Sequence, residues 1–253
     1  MYKKIIRKLK KGLMPALFLL AGLIIWELII YLFKFPVYIL PTPRAILIDI
    51  FSNLSSLLPH LWITISEAVG GLIIASILGI IIAIIFLYSK NAEKGGYPYI
   101  IALKTTPIIV LAPLLVLWFG NGMLSKVVIV ALICFFPIVV NTLKGFKSVN
   151  QDFIDLFKSL NSSKKQIFLK LRLPFSTPYI FSALKISSSL AFVGAIVGEF
   201  VGANEGIGFV ILVASYQLNT IRMFSGIILV ALAGIVLFFL IDFIEKKVVY
   251  WKH

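Results

Sequence analysis

Five ionisable side chains, Glu27, Glu67, Lys104, Lys185 and Glu199, stand inside or beside long apolar runs. A charge in hydrocarbon surroundings is costly, so each is either a functional group turned to a pathway or an anchor at a span end, and most lie near run ends. Neutral hydrogen-bonding groups accompany them at Thr105-Thr106 and at Ser187, Ser188 and Ser189. Groups suited to bond-making are scarcer. Cys134 is the single cysteine and sits in an apolar run, which leaves no disulfide framework. His60 and His253 are far apart, without a Cys or His companion, so no metal site is expected. The sequence contains no His-Glu-x-x-His helix, no paired aspartates within a span, and no glycine loop ending in Gly-Lys-Ser or Gly-Lys-Thr. No catalytic residue is expected.

The elements that carry these groups follow from hydropathy. Of 253 residues, 60% are hydrophobic and 13% charged, with mean hydropathy +1.06; such a composition belongs to a membrane protein. Runs long enough to cross about 30 Å of hydrocarbon as helices occur near 13–33, 63–88, 97–119, 124–143, 182–200 and 225–244. Nothing alternates in the ten-residue pattern of a barrel, so the expected fold is all-α, polytopic, with about six transmembrane helices. The first run, Leu13 to Phe33, is longer than the apolar part of a cleaved signal and reads as a retained span.

The net charge of +14 is segregated. Lys3, Lys4, Arg7, Lys8, Lys10 and Lys11 open the chain, seven more basic residues lie between Lys144 and Arg172, and Lys246, Lys247 and Lys252 close it. With Lys90 and Lys94 these make eighteen of the 24 basic residues on one side, which predicts that both termini are cytoplasmic. Charge clustered at span ends is an anchor pattern; nucleic acid, which selects a basic face interleaved with aromatics, is not an expected partner, whereas membrane lipid is.

Within the spans, Gly70, Gly71, Ala75 and Gly79, and later Gly226, Ala231 and Gly234, either let helices approach closely or reflect the general frequency of glycine in membrane helices. "KTTPIIVLAP" places Pro107 and Pro113 in the third run, with Lys104, Thr105 and Thr106 at its boundary. It is either a broken helix lining a pathway or a kink that serves packing. Between the first two spans, "RAILIDIFSNLSSLL" is amphipathic and expected to lie along the membrane surface. "GEFVGANEGIGFVILVASYQLNT" is too short and glycine-broken to span, and predicts a half-inserted or interfacial helix.

One segment is neither apolar nor able to fold alone: "DLFKSLNSSKKQIFLKLRLP", Asp155 to Pro174. Phe153, Leu156, Phe157 and Leu160 recur at i, i+3, i+4 and i+7, one face of a short helix. Asn161 suits a left-handed helix end, and Ser163 with Gln166 forms a capping box for a second helix bearing Ile167, Phe168 and Leu171. Pro174 is expected to stop that helix. Helices this short need a surface to cover their apolar stripes, which either the bilayer or a partner protein could supply.

The same segment resembles the EAA signature of permease subunits of bacterial ATP-binding-cassette importers. Asp155, Leu156 and Phe157 take the Glu-Ala-Ala positions, Asn161 the glycine, and Leu173-Pro174 the ending, with spacing kept and identities partly changed. Pro113 to Gly145 and Leu173 to Phe200 resemble spans three to five of the sulfonate, taurine and nitrate branch, with Glu199 and the later Gly206-Ile207-Gly208 also similar. Residues before 60 carry the least of this resemblance, and Glu67 stands where relatives often carry a basic residue.

The resemblance implies a type I importer transmembrane domain that forms the path for a small solute delivered by an external binding protein or lipoprotein. It implies two copies of a cytoplasmic ATPase, carrying the ATP and magnesium that this chain does not bind, and a second permease copy as a homodimer in the bacterial plasma membrane. The residues implied in ATPase coupling are Phe153, Ile154, Asp155, Leu156, Phe157, Ser159, Leu160, Asn161, Leu171, Leu173 and Pro174. Candidates for the translocation path are Lys104, Thr105, Thr106, Pro107, Ser187, Ser188 and Glu199. The expected organisation is an amino-terminal segment over 1–60 and a core over 61–253, with the coupling loop at 146–178. An ATP-independent secondary transporter or channel is the alternative; it calls for inverted internal repeats.

Overall fold

The computed structural model describes the backbone of residues 2–252 and the side chains of residues 13–251. The basic cluster Lys3 to Lys11, Lys252 and His253 therefore lie outside the described side chains. Helices are the one regular element among the described residues, as the need to satisfy backbone groups in lipid demands.

One compact unit comprises 1–58 with 210–228. Here α1, Tyr2–Phe33, runs straight through Pro15. The amphipathic helix α2, Pro43–Ser52, starts where Thr42 accepts a hydrogen bond from the Ala45 amide at 3.2 Å. It buries Ile46 and Ile50 and exposes Leu47, Ile48 and Phe51, the two-faced pattern expected of an interfacial helix. Asp49 pairs with Arg222 at 3.2 Å.

The other unit, 59–209 with 229–253, contains most of the bundle. Its helices are α3 (Leu54–Tyr88), α4 (Lys90–Thr105), α5 (Ile108–Phe119), α6 (Met123–Lys147), α7 (Gln151–Ser159), α8 (Lys164–Ile167) and α9 (Leu173–Gly202). A short apolar helix α10 (Ile207–Tyr216) and the long α11 (Thr220–Val248) follow; these two, and α3, cross the unit boundary in sequence. The centre is α6 packed along α9, with Ala68, Leu72, Ala75, Val130, Cys134, Ile138, Ala191, Phe192 and Ala195 in its core. Small residues admit the close approaches: a Cβ on Gly194 of α9 would stand 3.0 Å from Val130 Cα of α6, and one on Gly79 of α3 2.7 Å from Ile138 Cγ2 of α6.

Among the described residues, five helices are long and apolar enough to span, Leu13–Phe33, Leu54–Tyr88, Met123–Lys147, Lys164–Gly202 and Thr220–Val248, and the bent pair α4–α5 counted as one broken span makes six. Three expected boundaries change. The second span begins at Leu54 rather than 63, because "LSSLL" continues the helix through Pro59. The third is no continuous span: α4 and α5 meet at 97°, since Thr106 and Pro107 are extended (ψ 121° and 111°) and Pro107 cannot donate the next helical bond. The fifth begins at Lys164, and Pro174 does not stop it. Phe168–Arg172 forms a π turn in which Leu173 N–H reaches back to the Phe168 carbonyl; that wider turn lets the helix pass a proline, which then stands in the first turn of α9.

Candidate functional site

Three constellations lie within the larger unit. The first is the hairpin α7–α8. Asn150 caps α7 by accepting from the Asp152 amide. Asn161 ends it in the left-handed conformation, φ 58°, with Ser162 N–H bonded to the Phe157 carbonyl and Asn161 N–H to that of Lys158, a Schellman closure. The Ser163–Gln166 capping box then starts α8, both of its bonds formed. Ile154, Ile167, Leu171 and Val149 bury one another, with Phe157 packed half-buried against them.

The stripe therefore divides. Ile154, Phe157 and Leu171 hold the hairpin together, while Phe153, Leu156 and Leu160 stay 47%, 54% and 70% exposed. Phe153 lies 6.1 Å from the half-exposed Phe175 ring, which extends the apolar patch onto the start of α9. Asp155 and Ser159 are exposed; Ser159 Oγ bonds the Leu156 carbonyl. Lys158, which bonds Asp155 at 2.9 Å, and Gln151 hold the Asp155 carboxyl below the usual carboxylate range. Leu173 packs half-buried beside Phe146, and Pro174 is also half-buried.

The second constellation is the break at Thr106-Pro107. Together with Leu103, Lys104 and Ile108, and with residues of α6 and α9 such as Phe136, Pro137, Ile186 and Val193, it lines a cavity of about 510 Å³. Lys104 Nζ sits 4.6 Å from the centre of the Phe136 ring, a cation–π position. Thr105 is exposed and bonds the carbonyls of Ile101 and Ala102. Ser187 and Ser188 do not join this cavity: both are fully buried, and Ser188 Oγ bonds the Lys185 carbonyl.

The third is a buried polar cluster where α3, α6 and α9 meet the α9–α10 turn. Glu199 is fully buried. Its Oε1 accepts from Thr64 Oγ1 at 2.7 Å and its Oε2 from the Gly208 amide. Thr64 Oγ1 also accepts from the Ile207 amide at 2.8 Å, and His60 Nδ1 from the Gly206 amide at 3.1 Å. Three successive amides opening α10 are thus taken by three side chains from α3 and α9. Lys126, near the start of α6, is fully buried and donates to the carbonyls of Asn121 and, at 2.7 Å, Gly202. A signal for this site was present: His60, Thr64 and Glu67 recur at i, i+4 and i+7 along an otherwise apolar helix. Among the described residues no His, Cys, Asp and Glu group could hold a metal ion.

Comparison with known proteins places these elements in context. Residues 75–250 match the family model of the binding-protein-dependent transport system inner membrane component. The chain is 36% identical over 243 residues to the formylaminopyrimidine transport permease protein ThiX of Halalkalibacterium halodurans, covering 96% of this chain and 97% of that one. It is 32% identical over 245 residues to the putative aliphatic sulfonates transport permease protein SsuC of Bacillus subtilis, covering 96% and 89%. A solved chain of the inward-facing MetNI methionine ABC transporter shares the fold, with TM-score 0.69 at 17% identity over 78% of this chain and 98% of that chain. By the extent of these matches, this chain belongs to the binding-protein-dependent transport system inner membrane components, the permeases of ABC importers.

Proposed function

We propose that this permease carries a small solute across the bacterial plasma membrane, powered by two copies of a cytoplasmic ABC ATPase seated on the α7–α8 hairpin. The observation that carries the reading is the solvent-facing triad Phe153, Leu156 and Leu160 on a hairpin whose shape is fixed from within. Rigid caps remove the ordering cost of docking, and i, i+3, i+7 anchors suit a groove. ATP and magnesium belong to the partner. The spans rock between inward- and outward-open states because the hairpin binds the two ATPase states with different free energy.

Eighteen basic residues flanking one side of the spans support cytoplasmic termini. Both termini inside place the hairpin in the cytoplasm and the α9–α10 turn outside, where an external binding protein or lipoprotein delivers the solute. A second copy of this chain completes the path, with the Lys104, Thr106 and Pro107 cavity as its lining in each half. An ATP-independent mechanism has no comparable observation behind it.

The test is reconstitution with the cognate ATPase and binding protein. Leu156→Glu, which puts a charge into the docking stripe without touching the hairpin core, is expected to lower solute-stimulated ATP hydrolysis at least tenfold, about 1.4 kcal/mol of docking free energy, with the permease still in the membrane. Unchanged stimulation would refute the assignment.

A further inference from the structure

Glu67 is the one member of the buried polar cluster without a task. It is 3% exposed, it lies one turn along α3 from Thr64, and its Oε2 has no hydrogen-bond partner. It is buried beside Glu199: Thr64, three residues before Glu67 on α3, donates to the fully buried Glu199 carboxyl at 2.7 Å. Two carboxylates cannot hydrogen-bond each other, because each is acceptor only when ionised.

The local charges decide how the two coexist. Lys126 is the cation of the cluster, and its ammonium is spent on backbone carbonyls rather than on either carboxyl. Two buried carboxylates beside one ammonium would leave a net negative charge without compensation; one proton between the carboxyls removes it. The hydrogen bonds also say which group holds that proton. Glu199 accepts at both oxygens, from Thr64 and from Gly208, as an ionised carboxylate should. Glu67 accepts nothing from the backbone and leaves one oxygen idle, a state far cheaper for the carbonyl oxygen of a neutral acid than for an anion.

We propose that Glu67 and Glu199 form a carboxylic acid–carboxylate pair sharing one proton, and that this pair positions the α9–α10 turn. The proton stays on Glu67 and is donated to Glu199, whose charge then faces the amides opening α10, where negative charge is favoured. The backbone is shaped to the pair. Gly206 has φ 101°, and a Cβ on it would run into the Glu199 carboxyl; one on Gly208 would stand 2.9 Å from Glu199 Cβ. Gly198 likewise leaves room for the stem of Lys126, whose Cγ would be 2.9 Å from an added Cβ. The arrangement extends past the docking and path assignments, since it concerns neither the ATPase nor the solute.

The experiment is an infrared difference spectrum between wild-type importer and Glu67→Gln, paired with solute uptake by both and by Glu199→Gln. The wild-type spectrum should contain a protonated-carboxyl C=O stretch that Glu67→Gln removes. Because an amide still donates to Glu199, uptake by Glu67→Gln should stay within about threefold of wild type, whereas Glu199→Gln, which loses the anion, should fall by about tenfold or more. Loss of a carboxylate band instead of a carboxyl band in Glu67→Gln overturns the proposal, as does equal damage from the two glutamines. The infrared result needs only folded protein, so it stands apart from the transport reading and from any failure of Glu199→Gln to assemble.

Discussion

The guanidinium of Arg172, in the π turn leading into α9, donates to the main-chain carbonyl of Phe146 near the end of α6, at 2.9 Å. Around this bond Phe168 packs on Phe146 with ring centres 5.4 Å apart, and Lys147 pairs with Glu93 at 2.6 Å. The base of the hairpin is thereby tied to α6 and to the start of α4, so force applied to α7 reaches the bundle through a short, hydrogen-bonded path.

Arg172→Met keeps much of the apolar stem and removes that tie. A charged donor to a carbonyl contributes about 1.5–3 kcal/mol. Amide exchange across 151–172 should therefore speed up by one to two orders of magnitude, while exchange in the α6–α9 core stays unchanged. Equal protection in the two proteins would show that the hairpin is held by its apolar contacts alone.

Asn161 offers a backbone test in the same hairpin. Its φ of 58° is a conformation in which a Cβ crowds the following carbonyl, at a cost of about 1–2 kcal/mol for most residues and less for asparagine. Asn161→Ala should lower the thermal stability of the hairpin by about 1 kcal/mol and Asn161→Gly should leave it equal or higher. Proteolytic nicking between α7 and α8 is a direct measure, and the reverse ranking would contradict the Schellman closure.

Much of this was legible in the sequence, and the reasons differ by element. The capping box at Ser163–Gln166 and the left-handed Asn161 depend on three or four neighbouring residues, so local chemistry settles them. The break at Thr106-Pro107 was marked by its proline, but its 97° depth was not, because only packing against α6 and α9 selects an angle. Pro174 was misread as a stop because the π turn before it has no sequence signature separate from an ordinary helix. Ser187, Ser188 and Glu199 are path candidates by their polarity alone; that they are fully buried depends on helices distant in sequence and could not be read from it. The burial of Lys126 was not legible either, because it depends on carbonyls at Asn121 and Gly202, one of them 76 residues away.

Gly79 separates close packing from mere glycine abundance. A helical glycine with free space gains about 0.5–1 kcal/mol on becoming alanine, and Gly95 in α4, with nothing within 4 Å of an added Cβ, is such a site. At Gly79 the new methyl would meet Ile138 Cγ2 at 2.7 Å and Ile138 Cβ at 3.2 Å, and Ile138 is itself fully buried. Gly79→Ala should cost about 1–3 kcal/mol through overpacking. Opposite shifts in melting temperature for the two alanines, measured in one detergent, are the expected result; parallel shifts would dissolve the distinction.

Lys185 joins α9 to α11 through two carboxylates, Glu245 at 2.6 Å and Asp242 at 3.1 Å, with side chains 21%, 14% and 21% exposed in that order. Asp242 also holds Lys246, so removing Lys185 strands Glu245 far more than Asp242. Lys185→Met should therefore cost about 1–3 kcal/mol, between the values for exposed and fully buried pairs. The double variant Lys185→Met with Glu245→Gln should recover part of that loss, since no unpaired charge remains, whereas Lys185→Met with Asp242→Asn should recover less and also release Lys246. A double-mutant cycle on thermal unfolding reads the difference directly. Equal recovery by the two carboxyl substitutions would mean that Lys185 is held by the summed negative charge of α11 and not by Glu245 in particular.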